Sequence, residues 1–328
     1  MKLSFVIPTR NSGPAIGNCI GSIVAALAVA GLSDAEIIII DNGSSDDTVA
    51  VVRGRALASP VKVTLLSEPQ PGRARAFNRG AAASAGTLIA SIDDDCTLHR
   101  DHVRDMLRHD AVDTRPVLRG GRVELGDPTD LPYTITKRTA PIRMNRAMRS
   151  TRHGNIMGTI AGCNMVMQRA LYERLGPFDE NFGPGSRIGS GDDGDYVIRA
   201  YLHGFDIEYV PDMRVKHFHG RKTEAAIQAL FRRYAIGTGG LIAKHMWRHP
   251  DFCRLYLWDL RSAAKEAFCG GNTFLPAIGF SHRDKVKYLS IGAVAYLVGF
   301  RTDAAGRRWD AERKRACRSA SMVGGTVR

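Results

Sequence analysis

The chain has 328 residues, 44% of them hydrophobic, enough for one large domain or two small ones with a sizeable core. Its 46 Lys and Arg outnumber 33 Asp and Glu, a net charge of +13 that favours anionic partners such as nucleotides, phospholipid surfaces or nucleic acid. The six cysteines (Cys19, Cys96, Cys163, Cys253, Cys269 and Cys317) are scattered without a CxxC pair, which argues against a disulfide framework or a zinc site and fits a reducing cytoplasm.

The opening MKLSFVIPTRN lacks the apolar stretch and cleavage site of a signal peptide, so none is expected. Leu3–Ile7 predicts a strand. Ile16, Ile20, Ile23, Val24 and Leu27 then recur at helical spacing, with Asn11 or Ser12 as cap and Pro14 in the first turn. Glu36–Ile40, with four consecutive isoleucines, reads as a strand buried on both faces. A helix is expected after Ser44–Asp47, a strand at Val61–Leu66, a small-residue helix at Ala74–Ala85 and a strand at Thr87–Ile92. This alternation implies a parallel, doubly wound α/β sheet.

Beyond Arg100 the pattern loosens. Strands are expected at Arg119–Leu125, Ile160–Val166 and Ile207–Val210, the last ending at Pro211. Helices are expected at Arg169–Leu175 and Tyr196–His203. The basic stretch Lys137–Arg152 reads as an exposed loop or surface helix, and Phe182–Gly194 as a Gly-rich loop. From Glu224 the chain reads as helical and basic. Tyr288–Phe300 is apolar but too short to span a membrane.

In a parallel sheet, ligands bind beyond the carboxyl ends of the strands. There the sequence places Pro8-Thr9-Arg10-Asn11, Asp41-Asn42-Gly43-Ser44, Glu68 and Asp93-Asp94-Asp95. Clustered carboxylates call for a cation. Asp93 and Asp95, two residues apart, can point the same way towards a hard divalent ion that bridges a diphosphate. The same residues would also suit a solvated acidic turn or a helix cap. A second acidic knot, Asp192, Asp193 and Asp195, follows the Gly-rich loop and opens a helix. Two such knots suggest a division of labour, one holding the metal and the other accepting a proton. His217 and His219 share a face, and His217 is the preferred candidate to complete the metal shell.

In order along the chain, VIPTRN, IIIIDNGSSDDT, FNRGAAASAG, IDDDC, NMVMQR…GPFDE, GDDGD and VKH resemble family 2 glycosyltransferases, over about Met1 to Gly220. The resemblance implies the GT-A fold, with a GT-A domain over residues 1–222 (a nucleotide-binding half, 1–98, and an acceptor-binding half, 99–222) and a helical basic region over 223–328. It implies inverting, non-processive, hexosyltransferase-type transfer from a UDP-, dTDP- or GDP-sugar to a glycan or lipid-linked acceptor. Cell-surface polysaccharide or glycolipid synthesis would be the setting. No nucleic acid partner is implied. Pro8, Thr9 and Asn11 would border the nucleotide, Asp41 would bond the base, and Asp93 would face the ribose or sugar. Asp94, Arg75 and Asn78 are placed in the same nucleotide-sugar group. Asp95 and His217 would hold Mn²⁺ or Mg²⁺, Asp193 would be the general base, and Asp192 would contact the acceptor. The sequence departs from the family at Phe77, where many relatives carry Arg; Arg73 or Arg75 would supply that charge. It also lacks the QxxRW motif of processive synthases. A cytoplasmic enzyme, peripheral on the inner face of the membrane, is expected.

Two rivals fit parts of the pattern. Asp93-x-Asp95-x-Thr97 matches the nucleophile motif of haloacid-dehalogenase-type phosphatases, but no Lys lies between Lys137 and Lys216 to serve it. A non-catalytic sugar-nucleotide-binding protein would not need both acidic knots. A nucleotidyltransferase would carry a Gly-rich loop after the first strand, which VIPTRN lacks.

Overall fold

The computed structural model describes residues 1–145 and 156–302. The first half of the chain follows the expected alternation: β1 (Leu3–Thr9), α1 (Gly13–Val29), β2 (Ala35–Asp41), α2 (Thr48–Leu57), β3 (Lys62–Ser67), α3 (Arg73–Ala83) and β4 (Leu88–Ile92). Strands β3, β2, β1 and β4 lie side by side and parallel. The isoleucine run of β2 explains itself in the packing. Ile37 and Ile39 join one core, under α1, while Ile38 and Ile40 join a second core, under α3. Strand side chains alternate between faces, so a strand covered on both sides must be apolar at every position.

The second half adds β5 (Cys96–Leu98), α4 (His102–Ala111), β6 (Val117–Leu125), β7 (Ile142–Met144), β8 (Asn164–Gln168), α5 (Arg169–Leu175), α6 (Asp192–Leu202) and β9 (Asp206–His217). The sheet continues from β4 through β8, β6 and β9 to β5, with β8 antiparallel to both neighbours and β7 paired to β9. Short β5, β7 and the helix α4 have no counterpart in the expected elements. The described part of the Lys137–Arg152 stretch contains β7 rather than a loop or helix alone; residues 146–152 lie outside the described residues. Strand β8 starts at Asn164, not Ile160, because Ile160 is spent covering Gly120 of β6.

Pro211 does not end its strand. The register of β6 and β9 jumps from Gly121↔Val210 to Arg122↔Arg214, so residues 211–213 bulge out and the ladder resumes as far as His217. Proline is tolerated where a strand is bulged, since no ladder hydrogen bond is lost there. Fully buried Asn164 fastens the bulge, donating from Nδ2 to the Met213 carbonyl at 2.8 Å.

After Thr223, whose hydroxyl caps the next helix, come α7 (Glu224–His245), α8 (Cys253–Cys269) and α9 (His282–Thr302). No described helix is long and apolar enough to cross a membrane. The Tyr288–Phe300 segment lies within α9, which packs on α7 through facing glycines. A Cβ on Gly239 would sit 1.9 Å from the Leu289 carbonyl oxygen, and one on Gly292 would sit 1.9 Å from that of Ile236. The helices therefore touch backbone to backbone. Gly292→Val should force them apart and destabilise the protein by about 1–3 kcal/mol, the usual cost of overpacking. Gly54→Ala in α2, with nothing within 4 Å, is the control and should be neutral or stabilising. Equal melting temperatures for Gly292→Val and the parent would refute the contact.

Candidate active site

The strand ends open on a cleft of about 410 Å³ that both acidic knots line. Its centre is Arg73, the first residue of α3. The guanidinium donates from Nε and Nη2 to Asp93 Oδ1 at 2.9 and 2.6 Å, from Nη1 to Asp192 Oδ2 at 2.9 Å, and from Nη2 to the Gly162 carbonyl at 3.1 Å. One side chain thus joins knots 99 residues apart in sequence, counting from Asp93 to Asp192. Burial works against its charge, but Asp93 and then Asp192 outweigh that and hold the group ionised.

The chain is folded locally to deliver Arg73. Buried Asn42, just past β2, donates from Nδ2 to the carbonyls of Glu68 and Gln70 and accepts the Gly72 N–H at 2.9 Å. The Arg73 N–H then donates to the Pro184 carbonyl at 2.9 Å, tying the helix start to the Gly-rich loop.

The three aspartates after β4 diverge. Asp93 faces Arg73, accepting from its guanidinium. Asp94 accepts the Thr9 hydroxyl at 2.6 Å; burial raises its carboxyl above the ordinary range, against the pull of its hydroxyl partners. Asp95 Oδ2 lies 3.2 Å from His217 Nε2, because β5 pairs with β9 and sets Cys96 opposite His217. Burial tends to raise the Asp95 carboxyl, yet the His217 hydrogen bond and charge leave it lowered. Burial likewise opposes the imidazolium, but Asp95 takes His217 up to about 9. Two cis ligands of a small cation about 2.1 Å from each stand about 3 Å apart, so this carboxylate–imidazole pair is spaced for Mn²⁺ or Mg²⁺. Magnesium-type sites often use only one or two protein groups and complete the shell with water and phosphate, and the pair opens onto the cleft.

Asp193 lies on the same wall. Its Oδ2 accepts the Gly162 N–H at 3.0 Å and its Oδ1 the Gly194 N–H at 2.7 Å. Burial, followed by repulsion from Asp192, raises its pKa to about 6 despite those bonds and Arg73. A carboxylate so tuned is ionised at neutral pH yet can take a proton.

A family model described as Glycosyl transferase family 2 matches residues 4–175, just over half of the chain. The chain belongs to that family. Glycosyltransferase AglE of Haloferax volcanii is 25% identical over 214 residues, covering 64% of this chain and 65% of the relative, slightly under two thirds of its length. Glucosyl-3-phosphoglycerate synthase of Mycolicibacterium smegmatis is 35% identical over 95 residues, 28% of this chain and 30% of the relative. Among solved structures, S. aureus TarS 1-349 superposes with TM-score 0.51 at 16% identity, covering 91% of this chain and 92% of that one. The mannosyltransferase PcManGT of Pyrobaculum calidifontis gives TM-score 0.52 at 18% identity, covering 99% and 81%. The fold is the GT-A glycosyltransferase fold, with a helical C-terminal part.

In this family 2 chain the expected site residues divide. Pro8, Thr9, Asp93, Asp94, Asp95, Asp192, Asp193 and His217 line the cleft. Asn11, at φ +54°, instead ties loops together, its Oδ1 accepting the Ser45 N–H at 2.8 Å. Asp41 is buried and accepts the Ser44 N–H at 3.1 Å. Arg75 pairs with Glu180 at 3.0 Å, so Arg73, not Arg75, brings the positive charge that Phe77 lacks. Asn78 is buried against Phe178, accepting its N–H at 2.8 Å and donating to its carbonyl at 2.9 Å. Asp195, grouped with the second knot in sequence, points away from it to Lys244 at 2.7 Å, Arg199 at 2.8 Å and His245 at 2.9 Å.

Sequence reasoning missed Arg221, Arg233 and Tyr234 as cleft residues, while Arg10, placed with the polar group after the first strand, does line the cleft. Arg221 lies two residues past His219, a signal that was available. Arg233 and Tyr234 reach the cleft from α7, and nothing in the sequence says where that helix returns.

Replacing Arg73 with Met leaves Asp93 and Asp192 facing each other without a cation. Removing one partner of a buried pair costs about 3–5 kcal/mol; partial exposure of Asp93 brings the expectation to about 1–3 kcal/mol. Denaturant unfolding measures it, with Arg73→Lys restoring only part of the loss, since an ammonium cannot fork to both knots. An Arg73→Met protein of parental stability would contradict the bridging role.

Proposed function

We propose that this chain transfers a sugar from a nucleoside diphosphate sugar to an acceptor hydroxyl, inverting the anomeric configuration. The observation that carries the reading is Asp193, a buried carboxylate raised to about 6 and held by two backbone N–H groups, lining the same cleft as Arg73 and the Asp95–His217 pair. The structural neighbours support a nucleotide-sugar donor: TarS is in complex with UDP and with UDP-GlcNAc, and PcManGT with GDP-Man and Mn²⁺. A UDP-, dTDP- or GDP-sugar, used in cell-surface polysaccharide or glycolipid synthesis, is the donor class this reading takes.

In this mechanism Asp193 removes the proton of the acceptor hydroxyl as its oxygen attacks the anomeric carbon. The bond from that carbon to the diphosphate oxygen breaks on the opposite side, and the electron pair leaves with the diphosphate. The Gly162 and Gly194 N–H groups fix the carboxylate for this transfer. Asp192 orients Arg73 through Oδ2 and reaches the acceptor through Oδ1. Arg10, Arg221 and Arg233 place positive charge along the cleft for a diphosphate. Asp95 and His217 would hold Mn²⁺ or Mg²⁺, which supplies positive charge to the departing diphosphate when bound.

The test is turnover with a panel of sugar nucleotides. Asp193→Asn should lower it by about 10²–10⁴-fold while donor affinity holds. The base works only when ionised, so the rate should be level above its pKa and fall about tenfold per pH unit below about 6. Chelation should abolish turnover and Mn²⁺ or Mg²⁺ restore it. An active Asp193→Asn enzyme would sink the base assignment; full activity in excess chelator would sink the metal.

We also infer a peripheral membrane contact, consistent with a lipid-linked acceptor. One face of α8 exposes Leu257, Trp258, Leu260 and Phe268, the last 91% exposed, interleaved with exposed Arg254, Arg261 and Lys265, while Asp259, Ala263 and Glu266 are buried on the other. Aromatic and basic residues sharing a helix face suit an anionic lipid interface. The protein should float with vesicles of mixed phosphatidylcholine and phosphatidylglycerol at low salt, and Trp258→Ser with Phe268→Ser should release it. A parent protein that stays in the pellet fraction would refute the contact.

A further inference from the structure

Cys96, Cys163 and His217 meet at the floor of the cleft, next to the Asp95–His217 pair. One potential ligand atom from each lies within 4.8 Å of the other two. Cys96 opens β5 and is the cross-strand neighbour of His217, the last residue of β9. Cys163 precedes β8 and lines the cleft, so the group is reachable from it. Both cysteines are buried and unbridged. The second imidazole nitrogen, His217 Nδ1, is buried and has no hydrogen-bond partner. Asp95 Oδ1 lies 3.8 Å from the Cys96 sulfur.

Two thiols and an imidazole are the donor set of a soft or borderline cation, whereas a hard ion prefers oxygen. In tetrahedral geometry, with Zn–S about 2.3 Å and Zn–N about 2.0 Å, neighbouring ligand atoms stand about 3.5–3.8 Å apart. The sulfurs and nitrogen need to close by no more than about an ångström to reach that. Three protein ligands leave a fourth position, which the Asp95 carboxylate is placed to fill.

We propose that Cys96, Cys163 and His217 form a thiophilic cation site, taking Zn²⁺ or a metal of like softness, whose occupation blocks transfer. The site goes beyond the proposed reaction and its occupancy does not depend on it. Binding forms two sulfur–metal bonds and one nitrogen–metal bond, and the two thiol protons and the proton of the His217 imidazolium pass to solvent with no change of oxidation state. It draws His217, and Asp95 with it, into the sulfur site and away from a hard ion. It also draws in Cys163, whose neighbour Gly162 holds Asp193 by its N–H and Arg73 by its carbonyl. A single soft ion therefore disturbs the metal pair, the base and its counter-charge together.

The test uses Co²⁺ as the probe, on reduced, tag-free protein with Cys253, Cys269 and Cys317 replaced by Ser. One equivalent should give the near-ultraviolet sulfur-to-cobalt charge-transfer band and the strong visible bands of tetrahedral cobalt, and Zn²⁺ should bleach both. Cys163→Ser should lose most of the charge-transfer band while its melting curve shows it folded; Cys163→Ala serves if the serine variant does not fold. Zn²⁺ added over excess Mn²⁺ should inhibit turnover, and Cys163→Ser should need at least about tenfold more of it, in line with the loss of a ligand. No charge-transfer band, or an unchanged band in Cys163→Ser, overturns the site. A band without inhibition overturns its blocking role. The spectrum needs no turnover, so its outcome is independent of whether the chain proves to be a sugar transferase.

Discussion

Five carboxylates at one edge of a sheet would repel one another out of any useful arrangement, and Arg73 is what prevents it. Asp93 and Asp192 are both within 3 Å of its guanidinium, so the two acidic knots are held at a fixed separation rather than driven apart. Much of the surrounding loop structure serves that contact. Asn42 shapes the turn before α3, Pro184 anchors the first N–H of the helix, and Gly162 closes the ring from the other half. The planar, five-donor guanidinium suits this position because one rigid group must meet three acceptors at once.

Around that centre the sheet divides its duties. Parallel β1, β2 and β4 end at the cleft and supply Thr9, Asn42 and Asp93–Asp95. Antiparallel β8 reverses the direction, so Gly162 and Cys163 arrive just ahead of its start, beside the end of β4. The bulge at residues 211–213 lets β9 run on to His217 and meet Asp95. Helix α7 adds Arg233 and Tyr234 to the cleft and is locked to α6 by the ion cluster around Asp195. Burial opposes that charge, but Lys244, His245 and Arg199 hold it ionised far below the usual carboxylate range.

The first half was legible because its signals are local. Apolar runs and helical spacing mark β1 to β4, and the polar groups after each strand follow from direction alone. Less was legible beyond Arg100, where the outcome depends on long-range pairing. Pro211 reads as a strand end until one sees Gly121 paired with Val210 and packed against the Met213 carbonyl, leaving room for a bulge. Arg73 and Arg75 are equally basic, but two residues turn a helix by about 200°, so they point to opposite sides. Only the Pro184 contact decides which faces the cleft. Asp195 matched its neighbours in charge, yet at the third step of the same helix it looks towards α7. The cysteines carried no spacing signal at all, because Cys96 and Cys163 come together only through the pairing of β4 with β8 and of β5 with β9.

Gly162 has a consequence for how such a protein tolerates change. It holds Asp193 and Arg73 with backbone atoms alone, an amide hydrogen for one and a carbonyl oxygen for the other. Main-chain groups are the same for every amino acid, so the attachment has no side chain that a point mutation could delete. What a mutation can do is add bulk: a Cβ here would lie 3.2 Å from that of Asp193 and 3.3 Å from Arg73 Nη2. The failure mode is crowding rather than loss. Variation in the surrounding loops can therefore accumulate around a cleft whose anchoring is written in the polymer itself.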